Sequence, residues 1–368
     1  MRMIGVEEEM LLVDIRDGRA HSVQGQLVLR PALQPHGPHA VGGAVEGEFQ
    51  QQQLETQTAP VRHLDELAQE VRHWRAQAAE HAKEVSCRVA AMGTPPLPVS
   101  SAPVQGDRYD WIRDRYQHIA RQHLSCGLHV HVSIDSPEEG VAVLDRIRPW
   151  LSVLLALSAN SPFWQGEDTG FASWRTQLMG RWPSSGPTDL FGSLAAYRDL
   201  VAAMVDTSVL LDEAMLYFDA RLSQHYPTVE IRVADVCSRV EDTVLVAALS
   251  RALVETAASE WSAGRAAPEV SQTILRLATF QASRHGMSDT LLDPATGLPE
   301  PAWQVVDTLV DHVRPALEHY GDAERVTAAL TAIREEGTGA ARQLHAQERT
   351  GQFVDVVAQS VRETASQD

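Results

Sequence analysis

Three segments of this 368-residue chain set ionisable residues two apart inside apolar runs. In IGVEEEMLLV, Glu7 and Glu9 alternate with Val6, Glu8 and Met10. In CGLHVHVSI, His129 and His131 alternate with Val130 and Val132, and in TVEIRVADV, Glu230 and Arg232 alternate with Val229, Ile231 and Val233. Successive side chains of a strand point to opposite faces, so each pair shares one face. A fourth segment, EGEFQQQQLETQT, adds Glu46, Glu48 and Glu55. Taken singly, each pair reads as the wet face of an antiparallel sheet. Taken together, several carboxylates and two histidines could converge on one face, where their mutual repulsion would be relieved by bound cations. Carboxylate oxygens dominate the set, which favours Mg2+ or Mn2+ over zinc and points toward chemistry on nucleotide phosphates.

The motif GFASWRTQLMGRWPSSGP supplies positive charge. Arg175 and Arg181 can grip a carboxylate or the phosphates of a nucleotide, and Ser173 and Ser184 can donate hydrogen bonds. The plainer reading is a surface loop with Trp174 and Trp182 tucked into the core. The chain has neither GxxxxGK[ST] nor GxGxxG, and it lacks a GxSxG elbow.

Strands must carry these residues. Residues 3–13 read as a strand, Asp17-Gly18 as a turn and 19–30 as the partner strand. A loop with Pro31, Pro35, Pro38 and Gly42-Gly43 follows, then an extended stretch over 44–58. Leu64, Leu67, Val71 and Trp74 recur at helical spacing, which predicts a helix over 63–85. Residues 87–93 read as a short strand, 107–124 as a polar helix, 126–135 as a strand and 138–158 as a buried helix. Over 160–187, Gly, Pro, Trp and Ser recur without periodicity, as in an ordered functional loop. A helix over 188–206 and strands over 214–222 and 227–236 come next. From Val240 the chain reads as Ala-rich helix, with a break at 286–300 and a polar tail after 350. Strands and helices do not alternate in βαβ order, so the expected class is α+β with a mainly antiparallel sheet. No repeat or linker divides the chain, and residues 1–368 are expected to form one domain, mostly helical from 240.

Lys and Arg number 31 against 49 Asp and Glu, a formal charge of −18 without any Lys/Arg block. That balance argues against nucleic acid and anionic membrane as partners. With 44% hydrophobic and 22% charged residues, the chain has ordinary globular composition. Cys87, Cys126 and Cys237 form no CxxC pair and read as reduced structural thiols of a cytoplasmic protein. Glu7 to Glu9 stand where a signal peptide would be apolar, and the run from Leu151 to Ala159 is too short for a bilayer. The Ala-rich helices offer packing faces for a homo-oligomer.

GVEEE, QLETQTAP, CGLHVHVSI, GFASWR…RWPSSGP and VEIRVADV, in this order over residues 5–236, resemble the glutamate–cysteine ligase type 2 family. These are carboxylate–amine ligases of the glutamine-synthetase-like superfamily. The resemblance implies an antiparallel sheet forming a funnel floor with helices outside, ATP with Mg2+ or Mn2+, and amino acids as substrates. By position it implies Glu7, Glu9, Glu55 and Glu230 as metal ligands, with His131 and His129 at the metal or the ATP phosphates. It implies Arg232 at phosphate or acyl-phosphate oxygens, and Arg175, with Ser173 beside it, at a substrate carboxylate or phosphate. The implied reaction activates a carboxylate as an acyl phosphate, which an amine then attacks, most simply the glutamate γ-carboxylate and the cysteine amino group. Other readings stay open: a zinc hydrolase built on His129 and His131, a ligase with a different donor and acceptor, and a binding protein that keeps the fold. No motif marks the pocket for the amine.

Overall fold

The computed structural model describes residues 1–28 and 43–366. The chain begins with β1 (Ile4–Asp14), the short helix α1 (Gln24–Val28), the hairpin β2 (Ala44–Gly47) and β3 (Gln53–Gln57), and α2 (Leu64–Glu84). Next come β4 (Cys87–Ala90), α3 (Asp107–Tyr116), α4 (His118–Gln122), β5 (Gly127–Ser133), α5 (Pro137–Ile147) and α6 (Leu151–Ser158). The hairpin β6 (Phe163–Trp164) and β7 (Glu167–Asp168), α7 (Trp174–Met179), α8 (Leu194–Asp206), β8 (Ala220–Leu222) and β9 (Thr228–Asp235) follow. The remainder is α9 (Val240–Ser262), α10 (Gln272–His285), a hairpin of β10 (Thr290–Leu292) and β11 (Pro299–Pro301), α11 (Ala302–Tyr320), α12 (Ala323–Glu336), α13 (Gly339–Thr350) and α14 (Phe353–Ala365).

Among the described residues, seven strands form one antiparallel sheet in the order β2-β3-β1-β5-β9-β8, with β4 paired to the end of β1. The class is α+β with an antiparallel sheet, as expected. Period-2 alternation sorts the two faces. Ile4, Val6, Leu128, Val130, Val132, Val229 and Ile231 are buried on one side, where α2, α5, α6 and α9 pack. Each such side chain contributes about 1.5–3 kcal/mol by leaving water. Register then fixes the other face: Glu9 lies opposite Glu55, Glu7 opposite His129, and Glu230 opposite both His131 and Arg221.

Several expected elements change for local reasons. Of the partner strand expected over 19–30, the described residues 19–28 keep a bridge between Ala20 and Val13, because the N–H groups of Val23 and Gln24 turn to the Gln51 carbonyl and α1 begins. The proline-containing loop that follows lies outside the described residues. The extended stretch 44–58 is a hairpin rather than one strand. The helix over 107–124 breaks at Gln117, whose φ of 49° is left-handed. The helix over 138–158 is interrupted by a 3-10 turn at Arg148–Trp150, where Pro149 has no N–H to give. The helix expected from 188 starts at Leu194, where Ser193 caps it. Of the strand over 214–222 only Ala220–Leu222 joins the sheet, after a 3-10 turn and a bridge from Phe218 to Gly186. The break at 286–300 is the β10–β11 hairpin. The tail after 350 is the helix α14, which buries Val356 and Val357 and packs on β4.

Candidate active site

The polar face of the sheet floors a cavity of about 460 Å3. β1 brings Glu7 and Glu9 to it, β2–β3 bring Glu46, Glu48 and Glu55, β5 brings His129 and His131, and β9 brings Glu230 and Arg232. The alternating pairs that stood out in the sequence therefore meet in one place, and Arg175 reaches the same cavity from α7.

The carboxylates differ in how their charge is held. His129 Nδ1 lies 3.2 Å from Glu7 Oε2, and His131 Nε2 lies 3.2 Å from Glu7 Oε1. Burial opposes ionisation of Glu7, but these two imidazoles hold it well below the usual carboxylate value. Glu9 accepts the Gly127 N–H at 2.6 Å, yet burial and the Glu48 charge push it up to about 7. Glu55, facing Glu9 across the ladder, is raised well above its usual value by burial and by the charges of Glu7, Glu48 and Glu9. Like charges placed directly opposite each other destabilise a ladder, so this corner of the sheet favours a proton or a cation. Burial and the nearby Arg232 lower His129 to about 4.

The other side of the cavity is compensated. Arg221 Nε donates to Glu230 Oε2 at 2.7 Å, and the Arg232 guanidinium is bonded to Glu230 Oε1. Burial alone would raise Glu230; Arg232 and Arg221 outweigh it and keep the group ionised far below its usual value. Arg175 lies beneath, its Nη atoms 3.3–3.4 Å from the Arg232 and Val233 carbonyls, its buried Nε without a hydrogen-bond partner among the described residues.

Not every predicted residue arrives. Ser173 is fully buried, donates to Asp235 Oδ1 at 2.8 Å and caps α7, so it holds the Arg175 segment and does not line the cavity. Arg181 is exposed and its Nη1 is 3.4 Å from Gln122 Oε1, outside the cavity lining. Ser184 is spent on the Met215 carbonyl at 2.5 Å. Asp235 in turn accepts from Asn160 N and Ser161 Oγ, and Ser161 Oγ accepts the Arg175 N–H. Trp182 of the loop motif, buried as expected, also borders the cavity, as do residues the motifs did not flag: Arg221, Tyr109, Tyr217 and His123. Trp182 Nε1 donates to His123 Nδ1 at 3.1 Å, and burial with Arg175 and Arg181 lowers this imidazole to about 3. Arg221 had a readable signal, since it falls on the cavity face of a strand paired with Glu230; Tyr109, Tyr217 and His123 had none.

The donor set suits a hard divalent cation. Glu7, Glu55 and His129, then Glu7, His131 and Glu230, then Glu9, Glu48 and Glu55, each offer ligand atoms within 4.8 Å of one another. His131 Nε2 is buried without an aligned hydrogen-bond partner, and carboxylate oxygens predominate, as Mg2+ or Mn2+ prefers.

The chain is similar to known proteins over nearly its whole length. A Streptomyces avermitilis protein named "Putative glutamate--cysteine ligase 2-1" is 48% identical over 364 residues, covering 99% of each chain. A Streptomyces coelicolor protein named "Putative glutamate--cysteine ligase 2" is 46% identical over 364 residues, again covering 99% of each. In fold, the chain is similar to the crystal structure of glutamate–cysteine ligase from Francisella tularensis in complex with AMP. The TM-score is 0.73 at 14% identity, over 100% of this chain and 89% of the other. The model of the Glutamate-cysteine ligase family 2 matches residues 3–359, and the chain belongs to that family.

Proposed function

We propose that this protein is an ATP-dependent ligase that joins the γ-carboxylate of glutamate to an amine, most simply the amino group of cysteine, through an acyl phosphate. The observation that carries the reading is the convergence of Glu7, Glu9, Glu48, Glu55, Glu230 and two histidines with Arg232 and Arg175 on one cavity. Mg2+ or Mn2+, when bound by those carboxylates and His131, would screen repulsion between a carboxylate and the γ-phosphoryl group. The donor carboxylate attacks the γ-phosphorus and ADP leaves; the amine then attacks the acyl carbon and phosphate leaves.

The chain's own residues bind and orient. Arg232, braced by Glu230, meets the phosphoryl and acyl oxygens that gain charge. Arg175, which lines the cavity, meets a substrate carboxylate or phosphate. The sequence demands no protein nucleophile: burial and the Glu9 charge push the Cys126 thiol well above its usual value, so it stays protonated. We read residues 1–368 as one ligase domain, since α9 packs on β1, β5 and β9 alike. None of the described helices is long and apolar enough to cross a membrane. We place the protein in the cytoplasm, in keeping with three buried, unpaired cysteines.

The test is phosphate release from MgATP with glutamate and a panel of amines, with products weighed by mass spectrometry. Release that depends on glutamate and one amine, with a product equal to their sum less water, is expected. Release with a different carboxylate would change the donor, and no amide from any pair would overturn the reading.

A further inference from the structure

β9 is irregular where it passes β5. From Leu128 to Val130 its pairing moves three residues, from Ala234 to Ile231, where a regular ladder moves two. The extra residue is a bulge, and a bulge re-aims the side chains beyond it. Period two counted from Glu230 would turn Asp235 toward the helices with Val229 and Ile231. The bulge sets it instead on the face of its partner Gly127, where the Arg175 guanidinium lies. Asp235 is fully buried, and two hydroxyls and a backbone N–H hold its charge. Ser173 Oγ donates to Oδ1 at 2.8 Å, while Ser161 Oγ and the Asn160 N–H donate to Oδ2 at 2.7 and 2.9 Å. Asn160 is fixed from its other side by Gln343 of α13, whose Nε2 lies 2.9 and 2.7 Å from its carbonyl and Oδ1. The carboxylate has little room to swing, since a Cβ on Gly93 would stand 3.0 Å from Oδ2.

We propose that Asp235 is a positioning residue of the ligase, which acts through Ser161 and Ser173 to set where the Arg175 guanidinium stands at the cavity. The role rests on the ligase reading above, in which Arg175 meets substrate. Asp235 and the two serines do not line the cavity, so their effect must be transmitted. Ser161 Oγ accepts the Arg175 backbone N–H at 3.0 Å, and Ser173 caps the helix that carries Arg175. The far end of Arg175 returns to the same strand, to the carbonyls of Arg232 and Val233 at the bulge. Both ends of the side chain are thereby referred to one irregularity of β9. A buried carboxylate with only neutral hydrogen-bond donors is costly to keep. A plain latch between two segments would be served by a neutral side chain. Arg175 gives the charge a purpose: burial raises Asp235 above its usual value, and the Arg175 charge is the foremost influence opposing that rise.

A double-mutant cycle on amide formation tests this, with Asp235→Asn and Arg175→Lys made singly and together. Asp235→Asn alone should lower kcat/KM about 10- to 100-fold, as expected for a misplaced substrate contact. In the Arg175→Lys background, where no planar fork remains to be aimed, the same change should cost less than about 3-fold. Product accumulated over long incubations and weighed by mass spectrometry keeps the slow variants readable. Ser161→Ala breaks the link at its last step and should follow Asp235→Asn in both backgrounds. A thermal melt of each variant reports the structural cost separately, and if Asp235→Asn does not fold, Ser161→Ala carries the cycle. Where the wild type forms amide, equal losses in the two backgrounds would make Asp235 structural and overturn the positioning role alone. Wild-type kcat/KM in Asp235→Asn would do the same. A wild type that forms no amide defeats the ligase reading and the positioning role with it.

Discussion

Gly127 lies against the guanidinium of Arg175, so close that a Cβ on it would be 2.2 Å from Nη2 and 2.8 Å from Cζ. The same glycine gives its N–H to Glu9. A residue without a side chain thus seats a cation and fixes a carboxylate of the cavity. Gly127→Ala should displace Arg175 and lower kcat/KM by about 100-fold. Overpacking should cost only about 1–3 kcal/mol of stability. Kinetics beside urea denaturation would separate the two effects, and a variant with wild-type kcat/KM would remove Arg175 from the site.

Glu8, between two cavity residues, faces the other way. Arg75 of α2 meets it bidentately at 2.6 and 2.8 Å and also donates to the Cys237 and Ser238 carbonyls, while Thr243 Oγ1 donates to Glu8. Arg75→Met would leave a buried charge unpaired and should cost about 3–5 kcal/mol. Adding Glu8→Gln should recover part of that loss, which a double-mutant cycle in urea would measure.

Glu230 supports both Arg221 and Arg232. Glu230→Gln keeps the volume but removes the charge, and turnover should vanish while circular dichroism and the cooperative melt remain. An unfolded variant would make the residue structural; an active one would end its role at the site.

Stability without metal should carry a pH signature. Glu9 sits at about 7, and Glu48 and Glu55 are raised, all chiefly by burial. The folded state therefore binds more protons than the unfolded one, and stability present below pH 4.5 is lost as pH rises through the folded values. His123 and His129, lowered to about 3 and about 4, act in the opposite sense, but only below their unfolded value of 6.5. Glu7 and Glu230 are lowered, so their contribution is lost only as pH falls below 4.5. From pH 6.5 to about 8 the raised carboxylates act without that opposition, and the melting temperature in chelator should fall. Mg2+ or Mn2+ should flatten or reverse that slope, since ionised carboxylates are the form that binds. Calorimetry across this window checks both, and a melting temperature that climbs in chelator would contradict the prediction.

The cavity floor was legible because Glu7, Glu9, His129, His131, Glu230 and Arg232 sit at period two within otherwise apolar runs, and an antiparallel register leaves such faces little choice. Ser173 misled because a serine beside Arg175 looks like a ligand contact, whereas an unpaired helix terminus and Asp235 use it first. Val356 and Val357 were hidden in a polar tail, because their burial depends on β4, far away in sequence.

The position of β1 inside the sheet orders events during synthesis. Glu7 and Glu9 leave the ribosome first, and β3, β4 and β5 can pair around them while Arg221 and Arg232 are still unmade. Until β9 emerges, the nascent sheet holds a concentration of negative charge without those two arginines. Such long-range pairing is slow to form. On the ligase reading proposed above, a half-made chain is thus a poor host for a nucleotide, and the ability to consume ATP would be acquired only as the sheet is completed.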